Sequence, residues 1–207
     1  MSAVSSDLGC SGVILAGGLN TRFGGKEKAF LRVGGVAIID RLVGVFEKLF
    51  EDITVVTNNP QNYLYLKHMI VSDVLNLRSS LTGIHAGLFY ASTPFCFICA
   101  CDTPFLSTDV VRFIVAQANS RIDAAIPKTS GGWEPLCALY SKRCLQAVEH
   151  QLGGGKRTIN RLFPHLRKRV IAEQELRTID PELKSFFNIN TPDDLDKAEA
   201  LCASPAV

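Results

Sequence analysis

The chain contains no apolar run long enough to cross a bilayer. Its longest uninterrupted one, from Phe95 to Cys101, falls far short of the roughly 20 residues that a spanning helix needs. The start, residues 1–7, has neither the basic opening nor the apolar centre of a signal peptide. These absences predict a cytoplasmic protein with no membrane partner. Excess charge of either sign is also lacking: 22 Lys and Arg stand against 20 Asp and Glu, for a net charge of +2. That balance gives no argument for nucleic acid or a membrane surface as the main partner, and none is expected, so any anion site must be local. Cysteine is present, but seven is an odd number, which fits reduced thiols better than a disulfide framework. Cys96, Cys99 and Cys101 would alternate along a strand, with Cys96 on one face and the other two opposite, so they cannot converge on one metal. They read as core thiols. Internal repeats and low-complexity segments are missing too.

What is there is an α/β pattern. With 207 residues, 47% of them hydrophobic, the chain can bury a substantial core in a single domain, 1–207. Short apolar runs at 12–16, 53–57, 69–72, 95–101, 123–127, 134–140 and 185–188 predict strands. Stretches at 36–49, 82–91, 107–118, 142–151, 156–163 and 192–202 carry apolar residues at helical spacing. Ser107 is placed to cap a helix over 108–118, and Thr191-Pro192-Asp193-Asp194 combines a cap, a first-turn proline and acidic residues. The alternation predicts a three-layer sandwich around a mostly parallel, Rossmann-like sheet.

The most informative stretch follows the first strand. Leu15-Ala16-Gly17-Gly18-Leu19-Asn20-Thr21-Arg22-Phe23-Gly24-Gly25-Lys26-Glu27-Lys28 combines four glycines, whose backbone can turn N–H groups toward an anion, with the cations Arg22, Lys26 and Lys28. It is neither a P-loop, which needs Lys-Ser or Lys-Thr after its last glycine, nor the Rossmann G-x-G-x-x-G. A nucleoside triphosphate is the expected ligand. In open α/β sheets ligands bind beyond the carboxyl ends of strands, and the run 95–101 ends there in a carboxylate, Asp102. Beside a phosphate loop, Asp102 is a candidate Mg²⁺ ligand, because Mg²⁺ is typically held by one or two carboxylates plus substrate phosphates. A turn or helix cap is the competing reading of Asp102.

Three motifs, the opening loop, Cys101-Asp102-Thr103-Pro104 and Asn188-Ile189-Asn190-Thr191-Pro192-Asp193-Asp194-Leu195, together resemble the molybdenum cofactor guanylyltransferases. These lie within the wider glycosyltransferase-A-like (nucleotide-diphospho-sugar transferase) nucleotidyltransferases. The resemblance spans residues 12–195 in the family's order, and Gly17-Gly18 tilts it toward guanine. It implies that Leu15, Ala16, Gly17 and Gly18 line the nucleotide, that Arg22 and Lys28 contact the triphosphate as catalytic cations, and that Asp102 holds Mg²⁺. Asp73 matches a nucleotide-binding position, and Gly83 belongs to the segment that begins the next helix beside the nucleotide. Thr57 and Asn59 stand where the family often has a single Asn. Ser79-Ser80-Leu81 replaces Gly-Pro-Leu, and Glu27 replaces a frequent Asp. Asn188 and Asn190 match paired asparagines of the pterin site, and Glu134 lies in a segment near the acceptor, where Trp133 could stack on a pterin or simply be a surface residue. Lys156 and Arg157, with Arg161 a helical turn on, are candidates for the pterin phosphate or members of a solvated helix face.

The implied reaction is attack of the phosphate of molybdopterin, or of Mo-molybdopterin, on the α-phosphorus of GTP with loss of pyrophosphate. The N-terminal half would bind nucleotide and the C-terminal half acceptor, with transient contacts to other molybdenum cofactor proteins. Two alternatives stay open: a cytidylyltransferase or sugar-phosphate nucleotidyltransferase on the same fold, and a non-catalytic nucleotide-binding assembly protein.

Overall fold

A computed structural model of the chain describes residues 9–17, 23, 25, 27–73 and 79–203. Gly18 and Arg22 lie outside the described residues, as does Lys26. In chain order the strands are β1 (Cys10–Leu15), β2 (Arg32–Val33), β3 (Val36–Ala37), β4 (Ile53–Val56), β5 (Met69–Val71), β6 (Phe95–Ala100), β7 (Ala124–Thr129), β8 (Gly132–Trp133), β9 (Cys137–Ser141) and β10 (Lys168–Ala172). The helices are α1 (Ile38–Phe46), α2 (Ser80–Tyr90), α3 (Thr108–Val115), α4 (Cys144–Gly153), α5 (Glu173–Arg177) and α6 (Pro192–Ala203).

The main sheet has the order β10-β7-β9-β6-β1-β4-β5, with β8 folded back on β7. Strands β5, β4, β1 and β6 run parallel, as do β7 and β10, while β9 is antiparallel to both β6 and β7. The strand period of two sorts side chains to opposite faces. Ile14, Val55, Phe97 and Cys99 join the core under α1 and α3, whereas Val13, Val56, Cys96 and Ile98 join the core under α2 and α4. The expected three-layer sandwich with a mostly parallel sheet is what forms, and the cysteines divide as their alternation predicts.

Close approach of helices to β1 depends on glycine. A Cβ on Gly12 would lie 2.5 Å from Phe46 and 2.6 Å from Phe50, and one on Gly87 would lie 2.6 Å from Cγ1 of Val13. Gly34 and Gly35, both at positive φ, turn β2 into β3. The expected helix at 36–49 therefore starts two residues later. Ser107 caps α3 through the Val110 N–H at 3.2 Å, and Thr191 accepts from the Asp194 N–H at 3.3 Å while the Asp194 carboxylate accepts from the Thr191 and Asn190 N–H groups.

Three expected elements differ. Residues 185–188 form no strand, because the Asp180 carboxylate accepts the N–H groups of Lys184 and Ser185 and winds the segment into a 3₁₀ turn. The expected helix at 156–163 is two 3₁₀ turns, Ile159–Arg161 and Phe163–His165, whose buried Ile159, Leu162, Phe163 and Leu166 mimic helical spacing. The expected strand 134–140 is broken: Glu134–Leu136 form a turn, closed by the Cys137 N–H on the Glu134 carbonyl at 3.2 Å, before β9 begins. Strand β10, with Ile171 as its one buried residue, was not expected.

Candidate nucleotide-binding cleft

Because β1, β4, β5 and β6 are parallel, their carboxyl ends open on one edge of the sheet. A cleft of about 560 Å³ lies there, lined by Leu15, Ala16 and Gly17 after β1, Thr57, Asn58 and Asn59 after β4, Asp73 after β5 and Asp102 after β6. Ser79, Ser80 and Gly83 of the α2 start, Leu136, Glu27 and Lys28 complete it. A larger open groove of about 840 Å³, between α1 and the 179–185 turn, includes Pro104 but neither Asp102 nor any residue of the glycine loop, so the chemistry concentrates in the smaller cleft.

The start of α2 is built by its sequence. Ser79 accepts the Thr82 N–H at 3.2 Å and its own N–H reaches the Thr82 hydroxyl at 3.3 Å, a reciprocal cap. The Thr82 hydroxyl also lies 3.0 Å from Asp73 Oδ2, which ties the end of β5 to this turn. Burial pushes the Asp73 carboxyl above its usual range, against the opposing hydrogen bonds of Thr82 and Asn58. Gly83 lets α2 approach the wall of the cleft: a Cβ there would sit 3.3 Å from Cδ1 of Leu15.

The three sequence motifs meet at Lys28. Its Nζ donates to Asn190 Oδ1 at 2.8 Å and lies 3.6 Å from Asp102 Oδ2. The backbone adds a second link, the Ile189 N–H donating to the Asp102 carbonyl at 2.8 Å. Burial raises the Asp102 carboxyl above the usual range, and the Lys28 ammonium opposes that rise. Among the described residues no group of three His, Cys, Asp or Glu side chains could cage a metal. A single carboxylate facing a phosphate cleft fits Mg²⁺, which draws its other ligands from phosphate and water.

Of the residues singled out from sequence, Leu15, Ala16, Gly17, Lys28, Thr57, Asn59, Asp73, Gly83 and Asp102 line the cleft, and Asn190 reaches it through Lys28. Asn188 turns its amide to the Phe186 carbonyl at 3.2 Å. Glu134 is half-buried and accepts from the Thr129 hydroxyl at 3.0 Å; burial raises its carboxyl, and the Asp102 charge adds to that. Trp133 packs on Phe163 with ring centroids 5.0 Å apart and carries the Lys128 ammonium 5.3 Å from its ring, so its ring already has partners. Lys156 and Arg157 are exposed and do not line the cleft, and Arg161 sits on a 3₁₀ turn, which removes the helical register with them. The sequence marked Glu27 only as the replacement of a frequent Asp, without a role, and did not mark Tyr63. The signal for Glu27 was available, since a carboxylate between two lysines of a phosphate loop has to be held away from the anion; nothing marked Tyr63, in a polar stretch, as fully buried.

Residues 12–170 match the MobA-like NTP transferase domain. The molybdenum cofactor guanylyltransferase of Desulfosudis oleivorans is 44% identical over 190 residues, covering 92% of this chain and 94% of the relative. The chain belongs to the molybdenum cofactor guanylyltransferase family. A probable member from Pelotomaculum thermopropionicum is 37% identical, with 94% of each chain covered. The crystal structure of the molybdopterin-guanine dinucleotide biosynthesis protein A of Archaeoglobus fulgidus superposes with a TM-score of 0.83 at 29% identity, over 93% of this chain and 98% of that one. A 2-C-methyl-D-erythritol 4-phosphate cytidylyltransferase from Thermus thermophilus, 17% identical with a TM-score of 0.67 over 93% of this chain and 98% of that one, shares the fold alone. As a family member, the chain is a nucleotidyltransferase.

Proposed function

We propose that this guanylyltransferase moves GMP from GTP to the terminal phosphate of molybdopterin, or of its molybdenum-loaded form, with release of pyrophosphate. The family named above supports the reaction, and the meeting of Lys28, Asp102 and Asn190 carries the assignment to residues. The glycine loop and the α2 start receive the nucleotide, with Leu15, Ala16, Gly17 and Gly18 along the base and ribose and Thr57, Asn59, Asp73 and Gly83 around them. Asp102 would hold Mg²⁺, which supplies charge neutralisation of the triphosphate when bound. Lys28 and Arg22 place positive charge on the phosphates, so catalysis comes from positioning and electrostatics. No general base is needed, because a phosphate monoester with a second pKa near ~6 is largely dianionic at neutral pH.

The acceptor is taken up by the C-terminal half, with Asn190 at the junction, Asn188 and Glu134 nearby, and Lys156 and Arg157 on the glycine-rich segment after α4 as cations for its phosphate. In this reading residues 1–207 act as one domain in the cytoplasm, with passing contacts to other molybdenum cofactor proteins and no nucleic-acid or membrane partner. No helix among the described residues is long and apolar enough to cross a membrane. The test is pyrophosphate release with GTP, Mg²⁺ and molybdopterin. Asp102→Asn is expected to lower it by orders of magnitude with an unchanged melting temperature; near-normal release would sink the assignment, and GTP binding without release by the wild type would favour a non-catalytic role.

A further inference from the structure

Glu27 is an anion in the wall of a cleft built for a polyphosphate, one residue from Lys28. Its carboxylate has three donors: it accepts from the Tyr63 hydroxyl at 2.6 Å, from Asn59 Nδ2 at 2.7 Å and from Asn62 Nδ2 at 2.9 Å. Tyr63 is fully buried, with its ring 5.0 Å from that of Phe30, and its hydroxyl also lies 3.2 Å from the Ala16 carbonyl. One phenol therefore touches both limbs of the glycine loop, Ala16 where the chain enters and Glu27 where it leaves. Burial pushes the Tyr63 phenol far above its ordinary range, so it stays protonated and remains a donor to Glu27. Directly after Glu27, the turn Lys28–Phe30 buries Ala29 and sends Lys28 toward Asn190 and Asp102.

We infer that Glu27, clamped by Tyr63, Asn59 and Asn62, is a positioning residue that fixes Lys28 for its work on the triphosphate. The inference rests on the proposed role of the cleft and adds to it a specific dependence: Glu27 acts through Lys28. Three donors draw the carboxylate's lone pairs away from the nucleotide, and the same bonds anchor the backbone from which Lys28 projects. A Gln at this position replaces one acceptor oxygen with a donor amide, which either faces the Asn59 and Asn62 amides or makes the Tyr63 hydroxyl accept and turn its proton to the Ala16 carbonyl; both loosen the clamp with little change in volume.

The test is a double-mutant cycle of Glu27→Gln with Lys28→Met, read as turnover at saturating GTP and as affinity for Mg-GTP. Glu27→Gln alone is expected to lower turnover about 10- to 100-fold, by analogy with the range seen when the hydrogen-bond partners of metal ligands are removed, with GTP affinity reduced less. The double variant is expected to be no slower than Lys28→Met. Multiplying losses, or a Glu27→Gln enzyme as fast as wild type, would overturn the inference. Tyr63→Phe, which keeps the ring against Phe30, enters the same cycle should Glu27→Gln not fold. A crystal structure of Glu27→Gln gives a readout that needs no substrate: Lys28 Nζ should leave Asp102 and Asn190, and its persistence at both would refute the positioning role. A wild type that releases no pyrophosphate would instead remove the proposed reaction, with that structural criterion still deciding the role of Glu27.

Discussion

Replacing Lys28 by Met keeps the side chain as far as its Cε and deletes the ammonium with its charge. At the 3.6 Å between Lys28 Nζ and Asp102 Oδ2, two unit charges attract by about 1 kcal/mol in water and about 5 kcal/mol at an effective permittivity of 20. Both side chains are partly covered, 21% and 22% exposed, which places the interaction between those limits. Removing a preorganised positive donor from a transition state of this kind costs about 2.7–4 kcal/mol, or roughly 10²–10³ in turnover. Lys28→Met is therefore expected to release pyrophosphate about 100- to 1000-fold more slowly. Asp102, already raised by burial, loses the charge that opposed it and rises further. The acid limb of the activity profile then moves to higher pH. The stability of the variant follows the same sign: a carboxyl raised in the folded state binds more protons folded than unfolded, so stability falls as pH rises from the usual carboxylate range through the folded value. Initial rates and urea melts between pH 4 and 8 measure both. Turnover within tenfold of wild type, or an acid limb that stays in place, would refute the reasoning.

Other predictions concern the frame and the acceptor side. Gly87→Ala drives a Cβ to 2.6 Å from rigid, fully buried Val13; overpacking of about 1–3 kcal/mol set against about 1 kcal/mol of helix propensity gives a net loss in urea melts. Gly83→Ala meets only the flexible end of Leu15, at 3.3 Å, and is expected to change stability much less. Hydrogen bonds from Arg167 hold the Asp123 carboxyl down to about 2, so its contribution is present above the ordinary carboxylate range and is lost as pH falls from about 4 toward 2; the stability gap between wild type and Asp123→Asn should close over that window. Lys156→Ala with Arg157→Ala should raise KM for the pterin and leave KM for GTP unchanged; an unchanged pterin KM would return both residues to the solvated surface.

The parallel sheet was legible because its strands are buried on both faces, so Val13–Leu15 and Phe95–Cys101 read as unbroken apolar runs. Strand β10 was not, since at the sheet edge Lys168 and Arg169 replace that signal and Ile171 alone is buried. Ser185 and Phe186 looked like a strand because their burial is real; the Asp180 carboxylate, five residues before Ser185, sets their backbone instead. In the cleft, the glycine loop and the carboxylate after β6 were visible as chemistry at strand ends. The clamp on Glu27 was hidden, because Asn59, Asn62 and Tyr63 acquire their meaning only when the loop after β4 folds over the loop after β1. The turn at Glu134–Leu136 was hidden for a similar reason: the Ala100 N–H on the Leu136 carbonyl, at 2.9 Å, draws that residue to the cleft edge.

The central claim, guanylyl transfer in the cleft where Lys28, Asp102 and Asn190 meet, is tested most directly by pyrophosphate release from the wild-type protein with Mg²⁺ and molybdopterin, comparing GTP with CTP. Release with GTP that requires the pterin, and little with CTP, is the expected result; equal or faster release with CTP, or none with either nucleotide, would refute guanylyl transfer at this site.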